Sequence, residues 1–161
     1  KLPVKLYKIK KSNIDKKGLY ASKDIKEGKK IIDYVGKIIT QKEAENNPKF
    51  DNGKDIYLFN LNSRYCLDGD FKWNTARLIN HSCEPNCEVV GKGLKLWILS
   101  LRNINKEEEL TYDYGFSYDK DYKQFPCKCG GKKCVGYIVR SESRWRIKKS
   151  KKRKTLINNF F

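Results

Sequence analysis

No run of apolar residues in this sequence approaches the roughly 18 that a membrane-spanning helix needs, so no membrane span is expected. The first residues, Lys1-Leu2-Pro3-Val4-Lys5, lack the apolar stretch of a signal peptide, which points away from secretion. Methionine is absent, histidine occurs once, and neither an internal repeat nor a Gly/Ser linker divides the 161 residues. That length suits one domain with a real core, with room for a small appendage. Hydrophobic residues make up 39% and charged residues 34%, a balance that predicts a compact body with polar extensions.

The net charge of +17 is concentrated at the two ends. Residues 1–17 carry seven Lys and one Asp, and residues 122–161 carry thirteen Lys or Arg and one Glu. Between them, residues 18–121 hold sixteen basic and seventeen acidic side chains, a near-neutral body between two basic arms. The densest run, Lys148-Lys149-Ser150-Lys151-Lys152-Arg153-Lys154, has the composition of a nucleic-acid-binding arm or a nuclear address; a solvated tail without a partner is the plainer alternative.

Six cysteines could form three disulfides in a secreted protein. However, Cys127 and Cys129 are too close to bridge each other easily, and a domain of this size with an ordinary core has little need of covalent staples. Cys127-x-Cys129-x4-Cys134, with Gly130-Gly131 letting the chain fold back, can instead give three thiolates to a tetrahedral zinc ion. A fourth ligand must then come from elsewhere.

Periodicity predicts many short strands. Val4–Ile9 alternates apolar residues with Lys, Leu19–Ala21 and Ile31–Ile39 read as further strands, and Tyr57–Asn60 and Arg64–Asp68 flank a turn at Leu61-Asn62-Ser63. Leu96–Leu101 and Leu110–Tyr114 read as closing strands. Thr40-Gln41-Lys42-Glu43 is a capping-box pattern opening a short helix that Asn46-Asn47-Pro48 stops. Thr75–Ile79 suits one helical turn, and the stretch from Asn80 to Asn86 is expected to be irregular. The sum is a mainly β domain of several small twisted sheets with short helices.

Three motifs in fixed order carry the function: Asn80-His81-Ser82-Cys83-Glu84-Pro85-Asn86-Cys87, then Glu109-Leu110-Thr111-Tyr112-Asp113-Tyr114-Gly115, then the three spaced cysteines. Together they resemble the SET-domain protein lysine methyltransferases with a zinc-binding post-SET segment, over roughly Lys17 to Val139. The resemblance implies the β-clip SET fold with knot-like C-terminal threading. It divides the chain into a basic N-terminal strand or arm (1–16), a SET domain (17–121), a post-SET zinc segment (122–139) and a basic C-terminal tail (140–161).

It also implies S-adenosyl-L-methionine (SAM) as methyl donor and one structural zinc per chain, with Cys83 as the fourth ligand beside Cys127, Cys129 and Cys134. Cys66 and Cys87 are then packing residues. By the same resemblance Asn80 and His81 hold the cofactor through backbone and side-chain hydrogen bonds, joined by the turn Lys16-Lys17-Gly18, Tyr57 and Lys128. Lys16 stands where the family has glycine, a change that strains the turn if Lys16 adopts positive φ. Tyr114 matches the catalytic tyrosine and Tyr57 a second site tyrosine. Tyr112 occupies a position where tyrosine goes with stopping at one or two methyl groups, so mainly monomethylation is expected. Asp68-Gly69 resembles the family's Asp-Ala step. Trp73, where many relatives have glycine, is expected to pack. Glu107-Glu108-Glu109 with Asp119 and Asp121 forms an acidic cluster that either attracts a lysine-rich tail or is a solvated turn.

The implied reaction suits tyrosine. Methyl transfer to a lysine ε-amine needs the amine neutral, although free lysine has a pKa of about 10.4. A narrow apolar channel lowers that value by desolvation, and a phenol orients the amine without adding charge. The expected function is therefore SAM-dependent lysine methylation of a histone or other basic protein, by a monomer located in the nucleus on chromatin or in the cytoplasm. The basic arms would contact DNA or RNA. Two alternatives remain: a catalytically silent SET module that binds chromatin or nucleic acid, and a methyltransferase acting on a ribosomal or other non-histone protein.

Overall fold

The structure, a computed structural model, describes residues 1–50 and 57–147. The basic run at 148–154 lies outside the described residues. β1 (Tyr7–Lys11) pairs antiparallel with β2 (Lys17–Ala21), and the turn between them is the first part of the site. β1 begins three residues later than the Lys/apolar alternation predicts, because Leu2 and Val4 stay exposed and only the stretch from Tyr7 finds a partner in β2.

β3 (Lys30–Tyr34) and β4 (Lys37–Thr40) split the long apolar run, and each joins a different sheet. Between them, a side chain on Gly36 would strike the Asp68 carbonyl, so the chain turns there without one. Thr40 then caps α1 (Gln41–Asn46): the Glu43 amide donates to Thr40 Oγ1 at 3.1 Å and the Thr40 amide donates to Glu43 Oε2 at 2.7 Å. Asn47 returns to extended backbone ahead of Pro48, ending the helix where expected.

β5 (Leu58–Asn60) and β6 (Tyr65–Asp68) form the expected hairpin, with β6 central between β4 and β5. A 3-10 turn at Thr75–Leu78 leads into β7 (Asn80–His81), which is not irregular. It pairs in parallel with β10 (Thr111–Tyr112), setting Asn80 opposite Thr111 and His81 opposite Tyr112. The Asn86 side chain brackets the same crossing, donating to Glu109 O at 2.8 Å and accepting from the Thr111 amide at 2.9 Å. The C-terminal stretch thus threads alongside the Asn80–Asn86 segment, bringing two distant motifs together.

β8 (Cys87–Lys92), which the alternation does not reveal, pairs with β9 (Lys95–Ser100) around a two-residue turn. Gly93 opens that turn with φ +62°, a value suited to glycine at the first position of a tight hairpin. In β9 every second residue, Leu96, Ile98 and Ser100, is buried, as a central strand with β3 on its other side requires.

The main core gathers Leu19, Ile25, Tyr34, Leu67, Ile79, Ile98, Ile104, Leu110 and Tyr112 from all four sheets. Each such burial contributes about 1.5–3 kcal/mol before chain entropy is counted. Cys66 and Cys87 are buried to 1% exposure; Cys87 belongs to this core, and burial pushes its thiol up to about 12, so it stays protonated. A second, separate cluster joins Val135, Val139 and Ile147 with Tyr118, Tyr122 and Tyr137. Residues 140–147, expected to begin a tail, therefore fold back onto the body.

Candidate active site

A cavity of about 700 Å³ opens between the β1–β2 turn, β7 and the cysteine-rich segment. Its walls include Lys16, Lys17, Tyr57, Asn80, His81, Tyr114, Cys127 and Lys128, so most of the expected cofactor and catalytic residues share one space. Gly18 does not line it; a side chain there would run into the Glu109 carboxylate, which is why the position must be glycine.

The turn is held from beneath. Asn80 Nδ2 lies within 3.1 Å of Ser12 Oγ, Asp15 O, Lys17 O and Glu109 Oε1, more acceptors than its two hydrogens can serve. Ser12 Oγ donates to Glu109 at 2.7 Å and accepts from the Ile14 amide at 2.9 Å. The Asn80 amide nitrogen thus fixes the cavity wall. Lys16, on that wall, has φ +40°, the left-handed region. Lys16→Gly should relieve about 1–2 kcal/mol of backbone strain against roughly 0.5–1 kcal/mol of extra chain entropy. A small net gain in stability is expected, visible as a higher urea midpoint at unchanged m-value.

His81 is buried, and both ring nitrogens are engaged within the protein. Nδ1 accepts the Tyr114 amide at 3.0 Å, which places the proton on Nε2, 3.6 Å from Cys83 Sγ. The imidazole therefore ties the tyrosine strand to the cysteine cluster, and contact with a cavity ligand falls to the backbone here.

Tyr114 donates its hydroxyl to Ile79 O at 2.7 Å, and its ring packs against Tyr112 at 4.9 Å, His81 at 5.3 Å and Phe116 at 5.8 Å. Tyr112 lies behind it, 4% exposed, and Tyr34 is likewise buried. Burial first, and neighbouring phenols second, hold Tyr112, Tyr114 and Tyr34 well above the ordinary tyrosine range. The result is a wall of neutral phenols and aromatic rings.

The sulfurs of Cys83, Cys127, Cys129 and Cys134 all lie within 4.8 Å of one another. The Cys83–Cys127 separation is 3.8 Å, matching the edge of about 3.8 Å that a tetrahedron with metal–sulfur bonds of about 2.3 Å has. Without a cation the four thiols compete: hydrogen bonding from Cys127, then from His81, with the Arg144 charge, holds Cys83 below the ordinary thiol range, while the hydrogen bond with Cys83, then burial, drives Cys127 up. A metal ion removes the conflict by taking four thiolates, so this cluster can hold one. Glu84 clasps the same segment, accepting the Lys133 amide at 3.2 Å.

One expectation is corrected, at Trp73. Of the acidic cluster, exposed Glu107 pairs with Lys8 and Lys10, Glu108 with Arg102 at 2.9 Å, and Glu109 with Ser12, Tyr20 and Asn80, while Asp119 and Asp121 stand exposed. Trp73, expected to pack, is 60% exposed, with its ring stacked on Phe71 at 5.0 Å. Arg77, not singled out among the site residues, also lines the cavity, and its buried Nε has no hydrogen-bond partner among the described residues. Phe125 and Ile138 complete the wall. Only the placement of Arg77 just ahead of Leu78-Ile79-Asn80-His81 pointed to it.

Known proteins agree with this architecture. The SET domain profile matches residues 16–115, more than half of the chain. Human histone-lysine N-methyltransferase 2D is 42% identical over 130 residues, covering 77% of this chain and 2% of that protein. Histone-lysine N-methyltransferase trithorax of Drosophila melanogaster is 36% identical over 135 residues, 80% of this chain and 4% of the relative. A Schizosaccharomyces pombe histone-lysine N-methyltransferase, H3 lysine-4 specific, is 41% identical over 135 residues, 79% of this chain and 14% of the relative. This chain therefore spans only a small part of those proteins' length. With the paired β7–β10 crossing, the tyrosine wall and the cysteine cluster in place, the chain belongs to the SET-domain family.

Proposed function

We propose that this protein is a SAM-dependent protein-lysine N-methyltransferase acting on a basic tail, with histone H3 as the first substrate to test. The observation that carries the reading is the meeting of the cavity with Tyr114 and the neutral phenols behind it. SAM, when bound in the cavity, would supply the methyl group on its sulfonium sulfur to the lysine nitrogen, the carbon–sulfur bond breaking as the nitrogen–carbon bond forms. Lys16, Lys17, Asn80, His81, Arg77 and Lys128 would hold it.

The remaining steps belong to this chain's residues. Aromatic walls exclude water and so lower the pKa of an entering lysine amine. Tyr114 and Tyr57 orient it; alignment of this kind is worth on the order of 7–11 kcal/mol. Because burial keeps Tyr112 and Tyr114 protonated, neither adds a negative charge that would hold the amine as ammonium. No general base is required beyond water, which takes the proton from the entering amine. Zinc is the ion that four cysteines favour, and with no open position it is structural. The exposed lysines of the N-terminal arm would add contact with DNA or RNA, and nuclear chromatin is the compartment that fits such a substrate.

Transfer of labelled methyl from SAM to core histones, nucleosomes and ribosomal proteins tests the reading. Incorporation into H3 supports it, and incorporation into a ribosomal protein alone moves the target while keeping the chemistry. No transfer to any protein, with tight DNA binding, would make the chain a silent binding module. Mass spectrometry of the product adds a second expectation: the hydroxyl of Tyr112, behind Tyr114, would keep a water in the space a methylated amine needs, so monomethyl-lysine dominates, and Tyr112→Phe shifts the product toward di- and trimethyl-lysine. Predominant trimethyl-lysine from the wild type would refute that role.

A further inference from the structure

Past Val139, outside the stretch that matches the SET profile, one cation among the described residues is deeply placed. The Arg144 side chain is 11% exposed. Its guanidinium makes three hydrogen bonds, each to a different part of the molecule. Nε donates to Val139 O at 2.9 Å, within its own segment. One terminal nitrogen donates to Cys83 O at 2.8 Å, on the turn that supplies a cysteine to the cluster. The other donates to Asp113 Oδ2 at 2.8 Å, between Tyr112 and Tyr114. The second oxygen of Asp113 accepts the Gly115 amide at 2.9 Å, fixing the chain just beyond Tyr114.

The segment that delivers Arg144 is itself anchored. The Arg140 amide donates to Phe116 O at 2.9 Å, the Ser143 amide donates to Arg140 O at 3.0 Å, and Val139 and Ile147 are buried to 0% and 1% exposure. A planar fork with five donors can bridge three fixed acceptors at once, which a lysine ammonium on a flexible stem does poorly. His81 links the same two pieces from the other side, between the Tyr114 amide and Cys83 Sγ.

We propose that Arg144 is a positioning residue for methyl transfer: a cross-tie from the C-terminal segment that locks the Tyr112–Tyr114 strand to the cysteine-bearing turn, so that the Tyr114 hydroxyl stays where the reaction needs it. The proposal rests on the methyltransferase reading above for its catalytic consequence, but not for its structural one.

The test compares the zinc-loaded wild-type chain with Arg144→Ala, Arg144→Lys and, as a charge control, Arg146→Ala, whose guanidinium lies over the Tyr118 ring at 5.5 Å instead. Hydrogen exchange is followed for the amides at 111–116 and, as a core reference, at 96–100. In Arg144→Ala, exchange at 111–116 should speed up by about tenfold or more while 96–100 is unchanged. kcat should fall by about tenfold or more at near-constant KM for SAM, as expected when a reacting group is misplaced. Millimolar guanidinium should restore part of both, Arg144→Lys should lie between, and Arg146→Ala should match wild type. Unchanged exchange at 111–116, or equal acceleration in both stretches, overturns the cross-tie. Local loosening with wild-type kcat overturns its catalytic role. If the wild type transfers no methyl group, the methyltransferase reading fails, and the exchange comparison still decides whether Arg144 fixes the tyrosine strand.

Discussion

Tyr114→Phe should lower kcat by about two to three orders of magnitude, the usual cost of losing one preorganised hydrogen-bonding group at a reacting centre. SAM affinity should move by only a few-fold. The asymmetry follows from how the ring is held. Contacts with Tyr112, His81 and Phe116, at 4.9, 5.3 and 5.8 Å, fix its position without the hydroxyl, so the variant keeps its shape. What disappears is the donor to Ile79 O at 2.7 Å, on a residue that lines the cavity. Leaving that carbonyl unpaired costs about 1–3 kcal/mol of stability, which a domain of ordinary stability tolerates. Steady-state transfer of labelled methyl, beside calorimetric titration with SAM, separates the two effects. A kcat within threefold of wild type would move the catalytic assignment to another phenol, and Tyr57→Phe would be the variant to examine next.

The parts of this site that local chemistry dictates were legible in the sequence. Thr40 and Glu43 cap α1 because the pattern needs nothing beyond four residues. Cys127, Cys129 and Cys134 reach one another because their spacing and two glycines bend the chain, and the motif resemblance supplied Cys83 across 44 residues. What stayed hidden depends on long-range pairing. β8 carries a glycine and two charges among six residues, and it is a strand only because β9 lies beside it. His81 stands in a cofactor motif, yet which way its ring faces is decided by the Tyr114 amide, 33 residues away. The acidic triplet looks like a free patch in one dimension, but in three β1 brings Lys8 and Lys10 to Glu107, Arg102 pairs with Glu108, and Ser12, Tyr20 and Asn80 bond Glu109. Arg144 sits in a stretch whose composition says only that it is basic; its three acceptors come from elements the sequence places far from it.

Stripping the metal should abolish transfer while leaving the body folded, and the division of the core explains why both hold. The main cluster, from Leu19 to Tyr112, contains no residue of the cysteine-rich segment; Val135, Val139 and Ile147 form their own small group. Three buried apolar side chains and three half-buried tyrosines contribute on the order of 10 kcal/mol, less than ordering residues 122–139 costs in chain entropy. A structural zinc on four thiolates supplies about 10 kcal/mol or more. That segment provides Phe125, Pro126, Cys127, Lys128 and Ile138 to the cavity wall, so its release opens the site to water. The purified protein should carry one zinc per chain by elemental analysis. After chelation, or in Cys83→Ser, transfer should fall by at least about a hundredfold, as loss of alignment and desolvation together imply. Protease should cut within 122–139, while far-ultraviolet dichroism stays close to that of the loaded protein. Returning zinc to the chelated wild type should restore both, and Cys83→Ser should recover little, since three thiolates and a hydroxyl bind the ion more weakly. Well under one zinc per chain in active protein, or full activity after complete removal, would mean that apolar packing, Glu84 and Arg144 hold the segment unaided, and the four cysteines would then have no metal role.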